Sequence, residues 1–467
     1  MRYNKLVKCK IHYTIVTFSL ILFIIILDTE DLRKYLWLFY LIQYLFAIRI
    51  VKGFSNKNFF YLSPSFLLVT YVNLNLIFGS YALNHYLSID VYQYRAENFN
   101  HLSNIHFISI YYIICSLISI LALQEINYSK KRIIESSDIS HGSFGKIVAI
   151  CTFLILFFSI VNLDLSFIGG SSSGFNTIPR TIAAIIIFYE SAKRKSRYRY
   201  IYYIGIIILL TSTNYDSKRE VFFLIFPILL LEIYFHNWNI SKINLKKILL
   251  LSLSIVIFIY LILVMTIFRG YGQYPFNSKL NAISYVPNLI HDNGFLNILA
   301  STSETTTFTY VSYRSINYVL IDNNLLSWGM TYFKLLFAFL PGSIKPLSMT
   351  STFTKIEDFG FYQIGGSLPV NIFAEAFWNF HLMGLLFILL LVYLLNTAFY
   401  SLFFKKQRLS KPTPLLFTFL YAYAYLLGFY RGFSFDLYFV LIFVSFFFSW
   451  LFYKIIYSKL KVRMKKH

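Results

Sequence analysis

Arginine side chains stand at the edges of several apolar segments, where a guanidinium group has a particular use. Guanidinium offers planar, paired hydrogen bonds that match the oxygens of a phosphate or diphosphate. The membrane interface is where a lipid-linked diphosphate would sit. Each arginine could instead extend towards water or bind lipid headgroups, but four on one predicted side favour an anionic ligand. They are Arg180 and Arg219 at the starts of two predicted spans, Arg269 at the end of another, and Arg431 in the last outer turn.

Two carboxylates are the candidates for acid–base chemistry. Asn371, Glu375 and Asn379 are spaced four residues apart, which would place them on one face of a helix. A carboxylate at the edge of a membrane span is costly unless it is paired or functional. Glu375 could act as a general base on a sugar hydroxyl, with the two asparagines orienting that acceptor, or it could pair with an arginine. Glu304 is the second candidate for the catalytic carboxylate.

The other polar residues indicate no further chemistry. Glu357 and Asp358 form an acidic pair that we expect to be solvated. The nine histidines do not cluster, and no zinc-protease, serine-hydrolase, P-loop or dinucleotide-binding pattern occurs. The three cysteines have no metal-binding spacing, and none falls in an aqueous loop where it could close a disulfide. We therefore expect neither a metal nor another cofactor.

Long apolar helices must position these residues. Mean hydropathy is +0.61, and 57% of the residues are apolar while only 13% are charged. A soluble core cannot absorb that much apolar surface, whereas a bilayer can. The sequence predicts an all-α polytopic integral membrane protein with about 12 transmembrane helices. These spans are expected at residues 12–27, 35–51, 59–80, 105–124, 147–165, 178–190, 200–212, 220–235, 247–267, 371–397, 414–429 and 433–456.

Basic residues concentrate in alternate connections between the predicted spans. With the N-terminus in the cytoplasm, about 29 of the 42 Lys and Arg residues fall in cytoplasmic segments, most densely at 191–200. The net charge of +22 therefore reflects membrane topology, with anionic lipid as the partner. We expect no nucleic-acid partner, and we expect both termini to be cytoplasmic.

The predicted spans divide the chain into three regions. Residues 1–267 hold about nine helices and residues 371–467 about three, and between them lies a stretch of mixed polarity. That stretch, 268–370, is predicted to be one large extracytoplasmic loop containing short helices. Most of the candidate residues lie in this loop or at the ends of the helices on its side, so any chemistry is expected at that membrane face.

Shorter elements are expected within the large loop. Residues 306–321 are predicted to be helical. Residues 331–340 are predicted to form an apolar helix that lies in the membrane interface or re-enters the membrane, because ten residues are too few to span. Residues 322–330 and 342–368 are expected to be irregular because Gly, Pro and Ser punctuate them.

Several short motifs lie at the outer ends of the predicted spans and in the large loop. They are residues 216–220 (Asp-Ser-Lys-Arg-Glu), 269–272 (Arg-Gly-Tyr-Gly), 340–342 (Leu-Pro-Gly), 374–380 (Ala-Glu-Ala-Phe-Trp-Asn-Phe) and 431–432 (Arg-Gly). In these motifs, and in an architecture of a dozen or so spans, cytoplasmic termini and one late periplasmic loop, the chain resembles the bacterial O-antigen polymerase (oligosaccharide repeat-unit polymerase) family. The number of spans and the Gly-rich stretch at 169–174 vary from the family's pattern.

The resemblance implies a glycosyltransferase of the bacterial inner membrane that builds a surface polysaccharide, such as the O-antigen of lipopolysaccharide. Its donor would be an oligosaccharide on undecaprenyl diphosphate and its acceptor a repeat unit on the same carrier. Arginines can stabilise the departing diphosphate without a metal. Membrane lipids and a chain-length regulator are further candidate partners. The implied roles are diphosphate binding by Arg219, Arg269 and Arg431, with Arg180 in support, and acceptance of the hydroxyl proton by Glu375 or Glu304.

Other functions remain open. A flippase or transporter of lipid-linked oligosaccharide would need polar residues through the middle of several spans, whereas the charges here gather at edges and in the large loop. A related O-antigen ligase shares the architecture, so spacing alone does not separate it from a polymerase. A non-catalytic chain-length regulator would have fewer spans and a long outer coiled coil, which the sequence lacks.

Overall fold

The chain folds as a bundle of helices. Within the described residues every regular element is a helix, which confirms the all-α prediction. The structure is a computed structural model that describes residues 2–54, 57–85, 90–123, 141–161, 172–194, 196–213, 218–236, 260, 264, 279–293, 304–337, 347–363, 365–403, 412–432 and 435–458.

The N-terminal part consists of helices that coincide with the predicted spans, together with two shorter connecting helices. Caps recognisable in the sequence start several of them. Asp28 accepts the backbone N–H of Asp31, and Ser63 stands before Pro64 at the first helical position. The helices are α1 (Arg2–Ile26), α2 (Thr29–Gly53), α3 (Lys57–Phe60), α4 (Pro64–Asn84), α5 (Asp90–Asn100), α6 (Ile105–Leu121), α7 (His141–Ile160), α8 (Ser172–Ala192), α9 (Arg199–Thr213) and α10 (Lys218–His236).

The C-terminal part alternates short and long helices. The predicted span at 247–267 lies outside the described residues except for Tyr260 and Val264. The helices are α11 (Lys279–Asn293), α12 (Glu304–Ile321), α13 (Met330–Phe333), α14 (Met349–Glu357), α15 (Phe359–Gln363), α16 (Ile372–Phe380), α17 (Gly384–Phe403), α18 (Pro414–Ala424), α19 (Leu426–Arg431) and α20 (Phe435–Tyr453).

Several of these helices are long and apolar enough to cross a membrane. Length and composition select five such helices among the described residues, and four more are apolar but shorter. The chain therefore has the character of a membrane protein, while the count of about 12 spans stays a prediction. The five are Lys5–Ile26, Thr29–Gly53, Pro64–Asn84, Ile372–Ser401 and Phe435–Tyr457.

The predicted span at 371–397 is broken. Helix α16 ends after nine residues, a 3-10 turn spans His381–Met383, and α17 follows. His381 has a φ of 52°, and Gly384 sits so close to α16 that a Cβ there would lie 2.5 Å from the carbonyl oxygen of Ala376. The run looks continuous in the sequence because most residues on both sides of the break are apolar.

Helix α8 lies at the centre of the bundle. Residues 177–192 are all buried, and α7, α9, α10, α18 and α20 pack around them. Near its end, Glu190 accepts a hydrogen bond from the hydroxyl of Tyr457, at 2.6 Å. A helix this enclosed contacts protein rather than lipid on every side that is described.

Helix α12 confirms the predicted helix at 306–321, but its surroundings are not those of a solvated loop. It packs between α4, α6 and α16. The hydroxyl of Tyr313 contacts those of Tyr40 and Ser109, and Thr309 donates to the carbonyl oxygen of Asn75 at 2.9 Å. Its serines and threonines can be buried because they bond to helix carbonyls. This part of residues 268–370 belongs to the bundle.

Residues 342–368 were expected to be irregular. This expectation is wrong at 349–357 and 359–363, which form α14 and α15, whereas residues 365–368 are irregular. Two polar residues of this stretch act as helix caps: Ser348 accepts the N–H of Ser351, and Asp358 accepts that of Phe361, at 2.8 Å. In the predicted helix at 331–340, α13 is followed by a 3-10 turn at Lys334–Phe337, and residues 338–346 lie outside the described part.

Candidate functional site

Glu375 is buried in the middle of α16 and is held by hydrogen bonds. Its side chain Oε1 accepts the hydroxyl of Thr331 at 3.0 Å. The amide nitrogen of Asn379 donates to the same hydroxyl oxygen at 2.7 Å and to the Glu375 carbonyl oxygen at 2.8 Å. The predicted pairing of Glu375 and Asn379 on one helix face is therefore observed, and both side chains converge on Thr331.

Asn371 has a different position from the predicted one. It is the N-cap of α16, where its side-chain oxygen accepts the N–H groups of Phe373 and Ala374 at 3.0 and 3.1 Å. Its amide nitrogen donates to Tyr112 at 2.9 Å and to Ser312. Its side chain is engaged in the cap and with Tyr112 and Ser312, so it does not join Glu375 and Asn379 in their contacts with Thr331. The predicted acceptor-orienting role of Asn371 would require these bonds to be given up.

A buried pair of opposite charges lies beside Glu375. Lys334 and Asp436 are both buried, with 3.8 Å between Nζ and Oδ2, and both are close enough to act electrostatically on Glu375. Two neighbouring polar atoms, Asp436 Oδ1 and the Tyr332 hydroxyl, are buried and have no hydrogen-bond partner among the described residues. Burial, and after it the Glu375 carboxylate, raises the pKa of Tyr332 well above its usual value, so its hydroxyl remains a donor.

We call these residues the Glu375 cluster. An unsatisfied buried polar atom is costly, and a bound ligand can supply the missing partner. The cluster offers a carboxylate, an ammonium group, a hydroxyl donor and a free carboxylate oxygen, which together suit a polyhydroxylated molecule. Its members are Thr331, Tyr332, Lys334, Glu375, Asn379 and Asp436.

The segment that covers Glu375, residues 330–336, has polar side chains inside and apolar side chains outside, the reverse of a helix in water. Thr331 and Lys334 point inward and are buried, whereas Met330, Phe333 and Leu336 are 54%, 58% and 77% exposed. Apolar side chains outside and polar side chains inside are favourable where the surrounding medium is itself apolar. The exposed face of this segment therefore suits the acyl-chain side of a membrane boundary, which agrees with the predicted interfacial position.

Two other predicted site residues form an ion pair. Arg431, the last residue of α19, lies 2.9 Å from Glu304, the first residue of α12. Each charge is at the helix end that its sign favours. The Glu304 side chain is 57% exposed while that of Arg431 is 15% exposed. The fold thus brings together, at the surface, an arginine predicted to bind diphosphate and a carboxylate predicted to be catalytic.

Arg180 does not start a helix as predicted. Helix α8 begins at Ser172, so Arg180 lies inside it, directly after Pro179, and is 4% exposed. The helix therefore includes the last three residues of the Gly/Ser-rich run that was expected to precede it. Arg180 is thus placed within the bundle.

Arg219 is the second residue of α10, as predicted, and its side chain is outside the described part of the chain. One turn later, the ring of Phe223 lies 5.3 Å from that of Tyr425, next to α19. The start of α10 is therefore at the same end of the bundle as Arg431. Arg269 lies outside the described residues.

The expectation that Glu357 is solvated is wrong. Its side chain is 3% exposed, it lies 3.2 Å from Arg314 Nε, and it accepts a hydrogen bond from Tyr310. The guanidinium of Arg314 also lies 4.8 Å from the ring centroid of Tyr318. Burial, and then the Glu357 carboxylate, raises the pKa of Tyr318 to about 12. Asp358 is exposed, as expected.

A sequence signal for this second acidic site exists. Tyr310, Arg314 and Tyr318 are four residues apart on α12 and so present one polar, aromatic face. Such a face predicts a buried acidic partner, and Glu357 is that partner.

No known family matches the chain, and no curated protein or solved structure shows significant similarity to it. Functional inference therefore rests on the residues and their geometry. Among the residues that the structure describes, no group of three or more His, Cys, Asp or Glu side chains is placed to hold a metal ion.

Proposed function

We propose that this chain is a polymerase that joins undecaprenyl-diphosphate-linked oligosaccharide units into a surface polysaccharide at the periplasmic face of the bacterial inner membrane. The observation that carries the proposal is the Glu375 cluster, in which a buried carboxylate accepts a hydrogen bond from a hydroxyl beside two unsatisfied polar atoms. The Thr331 hydroxyl makes the contact on Glu375 that an acceptor sugar hydroxyl would make in its place.

The reaction assigns a role to each group. The acceptor hydroxyl replaces Thr331 on Glu375 and gives up its proton to that carboxylate. Its oxygen forms a bond to the anomeric carbon of the donor, and the bond from that carbon to the donor's diphosphate oxygen breaks. The electron pair leaves with undecaprenyl diphosphate. Lys334 and the Tyr332 hydroxyl are placed to bind sugar oxygens while Asp436 accepts a further hydroxyl.

The arginines would stabilise the diphosphate as its charge develops. Arg431 can exchange its exposed partner Glu304 for a phosphate oxygen, because an ion pair with one exposed member is held weakly. The start of α10, which carries Arg219, is at the same end of the bundle. In this assignment Glu375 is the base and Glu304 is a counterion that keeps Arg431 in position before substrate binds.

The decisive experiment is the glycan profile of a strain lacking this gene. A polymerase predicts that only single repeat units reach the surface and that the ladder of longer chains is lost. Loss of all exported glycan, with repeat units retained inside, would indicate a flippase instead. In purified vesicles, a polymerase leaves its product on undecaprenyl diphosphate, whereas a ligase transfers it to a lipid A core. An unchanged ladder would contradict the proposal.

Alanine at both Arg219 and Arg269 is expected to abolish chain growth. Each change removes a cation assigned to the diphosphates, and loss of one such contact typically costs about 100-fold or more. The measurement is the glycan ladder of the deletion strain carrying the double variant. Immunoblotting of the membrane fraction checks that the variant is inserted as well as the unaltered chain. A fully active double variant would remove these arginines from the mechanism.

Substitutions of Arg431 and Glu304 test whether Glu304 is the catalytic base or only a counterion. Arg431→Gln is expected to reduce chain growth by about 100-fold. Glu304→Gln should change it by no more than about fivefold, because an exposed ion pair contributes at most about 1 kcal/mol. The readout is again the glycan ladder at matched membrane abundance. A Glu304→Gln variant as inactive as Arg431→Gln would make Glu304 the base.

A further inference from the structure

We propose that a groove between α1 and α2 binds the headgroup of an anionic phospholipid. The groove has a volume of about 410 Å³. It is formed by the beginning of α1 and the end of α2, which are adjacent because the two helices pack as an antiparallel pair. Its lining residues are Lys5, Lys8, Cys9 and His12 from α1 and Arg49, Lys52 and Gly53 from α2.

The positive charge in this groove is not compensated within the described part of the chain. None of its four Lys and Arg residues takes part in any of the ion pairs found there. Helix α1 contains no acidic residue. The acidic residues of α2, Glu30 and Asp31, are in its first turn, about 27 Å along the helix from Arg49. Four like charges around one groove repel one another unless an anion lies between them.

Lys10, a neighbour of the groove, has a structural role at this end of the bundle. Lys10, on the same helix, donates to the carbonyl oxygens of Leu121 and Leu123, at the end of α6. A cation at the C-terminal end of a helix is favourable. The lysines of the groove have no such partner among the described residues, so no contact found there explains their placement.

The groove opens onto an apolar surface that matches acyl chains. Ile15, Phe23 and Ile26 follow His12 by 3, 11 and 14 residues, which places them on the same side of α1. They are 56%, 58% and 78% exposed. A basic groove continued by an apolar strip fits an amphiphile with an anionic headgroup better than it fits a free anion. The occupant is therefore assigned as a phospholipid, independently of the polymerase proposal.

Lipid binding to the purified full-length chain tests this assignment. The chain in neutral detergent is titrated with phosphatidylglycerol, phosphatidylcholine and glycerol phosphate, and bound molecules are counted by native mass spectrometry. We expect one phosphatidylglycerol to bind more tightly than phosphatidylcholine. Replacing Lys5, Lys8 and Lys52 together by Gln should weaken that binding by at least about tenfold.

A matched control removes the same charge elsewhere. Lys146, Arg197 and Lys355 are exposed and lie outside the groove, so replacing all three by Gln should leave the tightly bound phosphatidylglycerol in place. Equal binding by the groove variant and the unaltered chain would overturn the proposal. Binding of glycerol phosphate as tight as that of phosphatidylglycerol would also overturn it, because the occupant would then be a free anion.

Discussion

Glu375→Gln is expected to abolish glycan chain growth, with a loss of at least about 100-fold, because the amide cannot accept the proton of the acceptor hydroxyl. Glutamine has nearly the shape of glutamate, and its side-chain oxygen can still accept the Thr331 hydroxyl. Packing around α16 is therefore preserved. The measurement is the glycan ladder of a deletion strain that expresses the variant at the abundance of the unaltered chain.

Two further variants separate catalysis from a structural role of Glu375. Thr331→Val removes the same hydrogen bond but keeps the carboxylate, so it should retain chain growth within about tenfold while costing about 1–3 kcal/mol of stability. Asp358→Asn changes an exposed carboxylate outside the cluster and should be fully active. If Thr331→Val were as inactive as Glu375→Gln, or if Glu375→Gln were active, Glu375 would not be the base.

Gly79→Ala is expected to destabilise the chain by about 3 kcal/mol, because the added methyl group forces α4 and α12 apart. A Cβ at Gly79 would lie 2.0 Å from Thr309 Oγ1 and 2.4 Å from the carbonyl oxygen of Thr305. The second contact is with backbone, so a change of rotamer cannot relieve it. The measurement is the melting temperature of the detergent-purified chain, followed by size-exclusion chromatography after heating.

The chain provides matched controls for this substitution. Gly145 and Gly205 are also in helices, and a Cβ at either position would meet nothing within 4 Å. Alanine there should leave the melting temperature unchanged or raise it, because alanine favours helix by about 1 kcal/mol over glycine. If the Gly79→Ala variant were as stable as these controls, α12 would not pack against α4 as described. Adding Thr309→Ala should restore stability only in part.

The sequence predicts the long helices well because each one depends on a local property. A run of apolar residues is stable as a helix in lipid whatever its neighbours are, so composition alone places α1, α2 and α4. The break at His381 could not be predicted in this way. It depends on the approach of Gly384 to Ala376, which is a tertiary contact that leaves no mark in the local pattern.

The candidate site could be predicted only in part. Glu375 and Asn379 were recognisable because their spacing is helical, whereas Asn371 has the same spacing and yet serves as a cap. Lys334 and Asp436 are 102 residues apart in the sequence, so nothing local indicates that they meet. A charged residue in an apolar run indicates that it has a partner of opposite charge. The sequence does not indicate which of several such residues that partner is.

The enclosure of α8 bears on how the chain is assembled during synthesis. Helix α8 carries Arg180 and Glu190, and the helices that enclose it include α18 and α20, made more than 200 residues later. When α8 first leaves the ribosome, these late helices have not been made, and Tyr457, which donates to Glu190, does not yet exist. The burial of these polar groups is therefore completed only when the last helices arrive. A chain that stops before α20 would leave Glu190 without the Tyr457 hydroxyl and α8 without part of its cover, which quality-control proteases could recognise.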